Sequence, residues 1–384
     1  MKRRTLVLTI ALIAVILVSL FAINEWFSNH QSTPEFFVGV EFAYAYDNAT
    51  GINGLVSDLK GLVDKVKNYT NLFVVGTPEI ALDQAALNET CDYIYDAGLY
   101  FVVFFTDPTK YLQDAYLWFI KARQKYGERF LGAYRIDEPG GKQLDKDTNR
   151  FVLEAENYTD ASEKYVEYVS LHLDDWRYSS GNRVFTSDYG LYWFNYKAAY
   201  ASVLAEFGFN FSIELNVALC RGAAKAQNKD WGAIVTWTYD NPPYIESGRE
   251  LYADMTLAYD AGAKYVVVFD YPNNFTYGIL TEEHFKAMKN FWNYIHSNPQ
   301  NFGTNEAKVT YVLPQDYGFG FRKANDNIWG FWSADDLSNK VWNDANKLIA
   351  QYDSRFDIVY DDPEFIDAVR SRYDELIFWN ETVA

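Results

Sequence analysis

The sequence predicts an α/β fold, a (β/α)8 TIM barrel followed by a small α/β module, and three observations support that prediction. Short apolar segments alternate with amphipathic helical segments over about 265 residues, a typical barrel length. Several apolar segments are nearly uninterrupted, which is typical of strands covered on both faces. The short apolar segments number eight in all. A doubly wound open sheet is the alternative, but no G-x-G-x-x-G or Walker-type loop favours a nucleotide-binding fold.

The barrel is predicted to span residues 36–304 and the module residues 305–384. The eight predicted strands are 36–44, 72–76, 100–105, 130–136, 183–187, 209–215, 231–237 and 265–269. The clearest predicted helices are 53–66, 111–126, 148–174, 250–261 and 282–297. In the module, 308–313, 356–360 and 373–379 are strand-like, and 338–352 is an amphipathic helix.

The N-terminus has the pattern of a membrane helix. Basic residues at positions 2–4 precede an uncharged segment at 5–23 that is long enough to span a bilayer. We expect a retained signal anchor, with a cleaved signal peptide as the alternative, and a linker at 24–35. Either a retained anchor or a cleaved signal peptide would place the globular part outside the cytoplasm.

The number of N-glycosylation sequons also favours export. Seven Asn-x-Ser/Thr sites begin at Asn48, Asn68, Asn88, Asn157, Asn210, Asn274 and Asn380. Such sites are used only by proteins that meet a glycosylation machinery. The chain is therefore predicted to be an extracellular, membrane-anchored glycoprotein.

Charge and composition exclude several classes of function. The net charge of −18 argues against a nucleic-acid partner, because phosphates would be repelled. Cys91, Cys220 and the four histidines form no metal-ligand spacing, so we expect neither a metal nor a cofactor. A disulfide between the two cysteines stays open. An aromatic content of 18% suits a carbohydrate partner, since sugar rings stack on aromatic side chains. Oligomeric state is not predicted.

Acidic residues follow most of the predicted strands, where a barrel places its active site. Glu138 follows the fourth strand and is the predicted proton donor, because burial and the adjacent Asp137 would raise its pKa. A polar turn is the alternative. The predicted second carboxylate is Glu214, which could instead pair with an arginine, or Asp240, which could instead be a turn residue. Two such carboxylates are what glycoside hydrolysis requires.

Other residues at the strand ends are predicted to bind substrate. They are Glu41, Arg135, Asp137, Asp188, Tyr192, Trp237, Tyr239 and Asp270.

Two motifs, YRIDEPGG at 134–141 and AIVTWTYDNPP at 233–243, resemble those of (β/α)8 glycoside hydrolases. The C-terminal module is similar to the small glutamine-amidotransferase-like domain of some such hydrolases. The resemblance implies an acid after the fourth strand, Glu138. The commonest clan has Asn before that acid and a nucleophilic Glu after the seventh strand, and this sequence has neither. The Asp137–Glu138 pair looks more like the hexosaminidase-type arrangement, in which the Asp assists a substrate acetamido group.

The sequence therefore favours an extracytoplasmic glycoside hydrolase acting on a polysaccharide or glycan. The first alternative is a catalytically silent barrel that binds carbohydrate at the cell envelope. A lyase or a metal-dependent hydrolase that uses the ring of acids is a third hypothesis.

Overall fold

The computed structural model describes residues 36–44, 50–105, 112–146, 149–272 and 277–383. The predicted signal anchor at 1–23, the linker at 24–35 and the sequons at Asn48 and Asn274 lie outside these ranges. Within them, no helix has the length and hydropathy needed to cross a bilayer.

Eight parallel strands close into a barrel in which each strand pairs with its neighbours in sequence and β1 pairs with β8. The barrel prediction is confirmed, and the open-sheet alternative is wrong. The strands are β1 Phe37–Phe42, β2 Leu72–Val75, β3 Tyr100–Phe105, β4 Phe130–Arg135, β5 Val184–Asp188, β6 Ser202–Phe207, β7 Asp230–Val235 and β8 Tyr265–Asp270.

Amphipathic helices cover the outside of the barrel. They are α1 Gly51–Val66, α2 Pro78–Leu82, α3 Gln84–Asp96, α4 Leu112–Tyr126, α5 Pro139–Leu144, α6 Tyr158–Ser180, α7 Tyr192–Lys197, α8 Ile213–Ala226, α9 Gly248–Asp260 and α10 Glu282–Ser297. The helix predicted at 148–174 begins later because Asn157 caps α6, its side chain accepting a hydrogen bond from Asp160 N. Gly181, with φ of 73°, ends it.

The sixth strand differs from the prediction of 209–215. Phe209 and Asn210 have positive φ, and Ser212 caps α8 by accepting from Leu215 N, so the apolar alternation at 209–215 leads into a helix. The strand is the earlier segment Ser202–Phe207. Its alanine-rich surroundings hide it in the sequence. The acid near the end of the sixth strand is therefore Glu206, and Glu214 lies in the helix that follows.

Two cores follow from the strand alternation. Inward side chains such as Phe37, Tyr134 and Leu204 fill the barrel interior. Outward side chains such as Val40 and Val203 pack against the helices in the larger core. The direction of a strand residue therefore decides whether it reaches the barrel mouth or the helix layer. Cys91 and Cys220 are buried free thiols.

The three strand-like segments predicted in the C-terminal module form a parallel sheet, in which β9 Val309–Leu313 lies between β10 Phe356–Tyr360 and β11 Glu375–Phe378. Helices α11 Asp336–Tyr352 and α12 Ile366–Arg372 complete it. Arg221 of α8 ties the sheet to the barrel: its Nε lies 2.7 Å from Asp357 Oδ1, and its guanidinium also donates to Phe356 O.

Candidate functional site

The carboxyl end of the barrel holds two buried glutamates that face its interior. Glu41 of β1 shares the inward side with Phe37, and Glu206 of β6 shares it with Leu204. They are only 5% and 3% exposed. Gly76 makes room for the first, since a Cβ there would lie 2.4 Å from Glu41 Oε1. Burying two carboxyls at one barrel mouth costs stability and points to a function.

A line of hydrogen bonds connects Glu206 to Asp137. Ser187 Oγ lies 2.5 Å from Glu206 Oε1, and the Tyr134 hydroxyl lies 2.8 Å from Ser187 Oγ and 2.5 Å from Asp137 Oδ1. When Glu206 is ionised, Ser187 donates to it. When Glu206 is protonated, it can donate to Ser187, Ser187 to Tyr134, and Tyr134 to Asp137.

The loop that carries Asp137 and Glu138 is held in a strained conformation. Ile136 and Glu138 have φ of 54° and 50°, and positive φ is costly for a β-branched residue. Strand β5 fixes this loop: Thr186 Oγ1 donates to Ile136 O at 2.5 Å, and Glu138 N donates to Ser187 O at 3.1 Å. Strained backbone thus lies at the residues that place the two carboxyls.

Asp188 holds the Pro-Gly-Gly part of the loop. Its carboxylate accepts hydrogen bonds from Gly140 N at 2.5 Å, Gly141 N at 2.9 Å and Asn195 Nδ2 at 2.7 Å. Both glycines are required for space, because a Cβ would lie 2.3 Å from Gly190 O at the first and 2.3 Å from the Tyr189 ring at the second. The motif after β4 thus packs closely against the loop after β5.

The carboxyls at the mouth hold protons to unusually high pH. Burial, then the charges of Asp137 and Asp188, raise the pKa of Glu138 to about 8. Burial and Asp137 raise the pKa of Glu41 to about 8. Burial and the charge of Glu138 raise the pKa of Glu206 well above its usual range. Because Glu138 and Glu206 influence each other's charge, a proton on one favours ionisation of the other, which is the relation that acid–base catalysis uses.

An open aromatic cavity of about 490 Å³ follows β6 and β7. Its lining residues are Phe209, Asn210, Thr238, Tyr239, Asp240, Asn241, Pro242 and Pro243. Phe209 is 38% and Tyr239 is 45% exposed, so these rings are available to a ligand. Tyr189 connects the cavity to the carboxyls: its ring centroid is 6.2 Å from that of Phe209, and burial and then the charge of Glu138 raise its pKa.

The other predicted site residues have different environments. Glu214 lies in the first turn of α8, not at a strand end, with Ser212 Oγ 3.0 Å from its carboxylate. Asp240 is exposed on the rim of the cavity. Trp237 packs against Tyr271, with ring centroids 5.1 Å apart.

Besides Asp188, three further predicted binding residues face the helix layer. Arg135 lies over the Trp176 ring at 5.3 Å and donates to Phe105 O. Asp270 accepts from the Tyr44 hydroxyl at 3.0 Å and is fully buried. Tyr192, also buried, donates to Asp188 O. The structure thus brings Glu41, Asp137 and Glu138 together and separates these three from them.

Sequence reasoning missed Glu206, Ser187 and Tyr134. The signal for Glu206 was a charged residue in the short apolar segment VLAEF, which was obscured because the neighbouring segment 209–215 alternates more clearly. In the described ranges, no group of three or more His, Cys, Asp or Glu side chains is arranged to hold a metal ion.

Comparisons with known proteins show similarity at the level of fold. No family model matches the sequence, and no curated protein matches it. Alpha-L-fucosidase isoenzyme 2 from Paenibacillus thiaminolyticus has a TM-score of 0.54 at 11% identity, and the match covers 90% of this chain. This chain spans 60% of the fucosidase. Endo-1,4-beta-mannanase from Eisenia fetida has a TM-score of 0.47 at 10% identity, over 71% of this chain and 94% of the mannanase. The chain therefore shares the (β/α)8 barrel fold with this fucosidase.

Proposed function

We propose that this protein is a glycoside hydrolase that cleaves an O-glycosidic bond with Glu138 and Glu206. The observation that supports this most directly is Glu206, a buried carboxyl facing the barrel mouth with Oε2 unpaired. An unpaired buried oxygen is costly unless a ligand uses it. Glu138 lies close enough for its charge to raise the pKa of Glu206.

In this proposal Glu138 is the general acid. Its raised pKa keeps it protonated near neutral pH, so that it can donate to the leaving glycosidic oxygen. The strained loop and the contacts of Asp188 with Gly140 and Gly141 hold it in place.

Glu206 is the second carboxylate, acting as nucleophile or as base for a water molecule. Ser187 binds Oε1 and stabilises the ionised form, which leaves Oε2 to face the reacting carbon. Because one charge disfavours the other, a proton on Glu138 favours ionisation of Glu206. The exposed rings Phe209 and Tyr239 offer stacking surfaces for neighbouring sugar units.

We further propose that the protein acts outside the cytoplasm, on a polysaccharide or glycan. The support is sequence alone, namely the basic residues before the uncharged segment at 5–23 and the seven sequons.

Activity assays with three variants test the catalytic assignment. On a panel of neutral, N-acetylated and amino oligosaccharides, we expect Glu138→Gln and Glu206→Gln each to lower kcat/KM by about 10²–10⁴-fold. Glu167→Gln, an exposed glutamate on α6, is the matched control and should retain full activity.

Glu214→Gln separates the sequence-based pairing from the structural one. A large loss in Glu214→Gln with none in Glu206→Gln would assign the second carboxylate to Glu214. Binding of glycans without turnover by the wild type would replace the proposal with the silent carbohydrate-binding barrel.

A further inference from the structure

A loop of the C-terminal module packs against the helix that begins after Glu138. This module loop, residues 314–335, joins β9 to α11. The Gln143 side chain of α5 donates to Trp329 O in the module loop at 3.0 Å, and Trp329 is fully buried. The backbones approach so closely that a Cβ at Gly330 would collide with Gln143 O. The module therefore contacts the segment that carries the proposed general acid.

Arg322 of the module loop binds the C-terminal end of α5. Its Nη1 donates to Asp145 Oδ1, and its Nη2 lies 3.4 Å from Leu144 O. Its Nε and Nη2 also bind the two oxygens of Asp326, at 2.8 and 2.7 Å. The side chains of Arg322 and Asp326 are only 10% and 1% exposed. A buried bidentate pair fixes the direction of the guanidinium, which is thereby aimed at Asp145.

Asp145 connects this arginine to Tyr189. The Tyr189 hydroxyl donates to Asp145 Oδ2 at 2.8 Å, so one carboxylate oxygen binds the arginine and the other binds the tyrosine. The Arg322 guanidinium also lies 5.8 Å from the centroid of the Tyr189 ring. That ring covers Gly141, where a Cβ would collide with it. Arg322 and Asp145 thus hold Tyr189 against the loop after β4.

Glu138 and Asp145 lie at opposite ends of the same short helix. Glu138 is the N-cap residue of α5, and Asp145 is the C-cap residue. Lys142 N donates to Glu138 O at 2.8 Å, and Asp145 N donates to Gly141 O at 2.9 Å. Because α5 has six residues and is about 9 Å long, a displacement of its C-terminal end is transmitted to Glu138.

We propose that Arg322 is a positioning residue of the active site, through which the C-terminal module holds Glu138 in place for proton donation. This inference rests on the proposed function. It makes the module part of the catalytic unit, although the proposed acid and its partner both belong to the barrel. A misplacement of about 1 Å in a reacting group can cost on the order of 10²-fold in rate.

The charge of Asp145 offers a measurement that packing alone would not change. Burial is the main reason why the pKa of Glu138 is raised, and the charge of Asp145 adds to it. Arg322 offsets that charge by its ion pair with Asp145. Loss of Arg322 should therefore raise the pKa of Glu138, and loss of the Asp145 charge should lower it. Glu138 interacts electrostatically with groups of its own loop and helix and of the ends of β5 and β6, namely Asp137, Lys142, Asp145, Asp188, Tyr189 and Glu206.

Kinetics of three variants test the inference. We expect Arg322→Gln to lower kcat about 10–100-fold and to leave KM within about twofold, because the rings of Phe209 and Tyr239 are untouched. The falling limb of the pH–rate profile, which reports the general acid, should move to higher pH by about 0.5 unit in Arg322→Gln and to lower pH in Asp145→Asn. Arg370→Gln, which changes an exposed arginine of α12 in the same module, is the matched control and should keep the kcat and the profile of the wild type.

Tyr189→Phe is the second variant, for use if thermal unfolding shows that Arg322→Gln does not fold. It removes the hydroxyl that binds Asp145 and keeps the ring that covers Gly141. We expect kcat to fall about tenfold with KM unchanged. An unchanged kcat in this variant would overturn the inference.

An NMR titration of the Glu138 carboxyl, with carbon-13-labelled glutamate and Glu138→Gln for assignment, separates this inference from the proposed function. Cleavage by the wild type with an unchanged kcat in Arg322→Gln would overturn the inference and keep the hydrolase. A rise in KM alone, or shifts in the same direction in Arg322→Gln and Asp145→Asn, would also overturn it. If the wild type cleaved no oligosaccharide while the pKa of Glu138 still moved in opposite directions, the hydrolase would be overturned and the link from Arg322 to Glu138 supported.

Discussion

Asp188 and Glu206 end neighbouring strands of the barrel, and both are buried acids, but their surroundings are opposite. Asp188 faces the helix layer, where backbone N–H groups and Asn195 surround its carboxylate. Glu206 faces the barrel interior with one hydrogen bond and one unpaired oxygen. Burial is almost equal, at 0% and 3% exposure. What distinguishes a structural acid from a functional one here is whether its hydrogen bonds are satisfied.

The same difference controls the pKa of each group. Burial raises the pKa of Asp188 only to about 6, because bonds from Gly140, Asn195 and Gly141 favour its ionised form. The pKa of Glu206 is raised much further, since burial and the charges of Glu138 and Asp137 greatly outweigh its bond from Ser187. Asp188 is thus an anchor, and Glu206 is a group that can exchange a proton.

Two isosteric substitutions test the difference between Asp188 and Glu206 most directly. Asp188→Asn replaces an acceptor oxygen with an NH₂ group that faces backbone donors, so we expect the free energy of unfolding to fall by about 2–4 kcal/mol. Glu206→Gln keeps an acceptor oxygen for Ser187 and removes a carboxyl whose charge Glu138 and Asp137 disfavour, so the free energy of unfolding should change by less than about 1 kcal/mol.

Urea denaturation of both variants at neutral pH provides the measurement. Glu138→Gln, also at the mouth, is expected to behave like Glu206→Gln. Equal destabilisation by Asp188→Asn and Glu206→Gln would mean that the two acids have the same structural role.

A second prediction concerns the dependence of stability on pH. The native pKa of Glu41, about 8, is above its ordinary value of 4.5, so the native state binds this proton more tightly than the unfolded state. The contribution of Glu41 to stability is therefore greatest at low pH and falls as pH rises from 4.5 to about 8. Glu41→Gln should flatten this fall by on the order of 5 kcal/mol.

Thermal unfolding across that range measures the effect. Glu167→Gln, the exposed control, should keep the slope of the wild type. A slope that Glu41→Gln leaves unchanged would show that Glu41 carries no raised pKa in the native state.

The loop after β4 could be predicted from the sequence because its signal is local. Apolar residues lead to Asp137 and Glu138, and a Pro-Gly-Gly segment follows. The reason for the two glycines could not be predicted, because the atoms they avoid belong to Gly190 and Tyr189, some fifty positions further along the chain. Close contacts between loops that lie far apart in sequence depend on the tertiary fold, so local sequence does not predict them.

The partner carboxylate was missed for a different reason. Segment 209–215 alternates more regularly than 202–207, but Gly208 and the cap at Ser212 end the strand before it. Alternation within β4 and β5 could have shown that Arg135 and Asp188 face outward, since Tyr134 and Ser187 occupy the inward positions. Direction within a strand is thus predictable once its bounds are known.

The smallest expected effect comes from Ser187, whose hydroxyl donates to Glu206. Ser187→Ala removes the donor that favours the ionised carboxylate, so the pKa of Glu206 should rise further. We expect kcat to fall about tenfold with KM unchanged, and the rising limb of the pH–rate profile to move to higher pH. Ser187→Thr keeps the hydroxyl and should restore most of both. If Ser187→Ala lowered kcat without moving the profile, Ser187 would serve packing alone, and the line of hydrogen bonds from Glu206 to Asp137 would have no part in proton exchange.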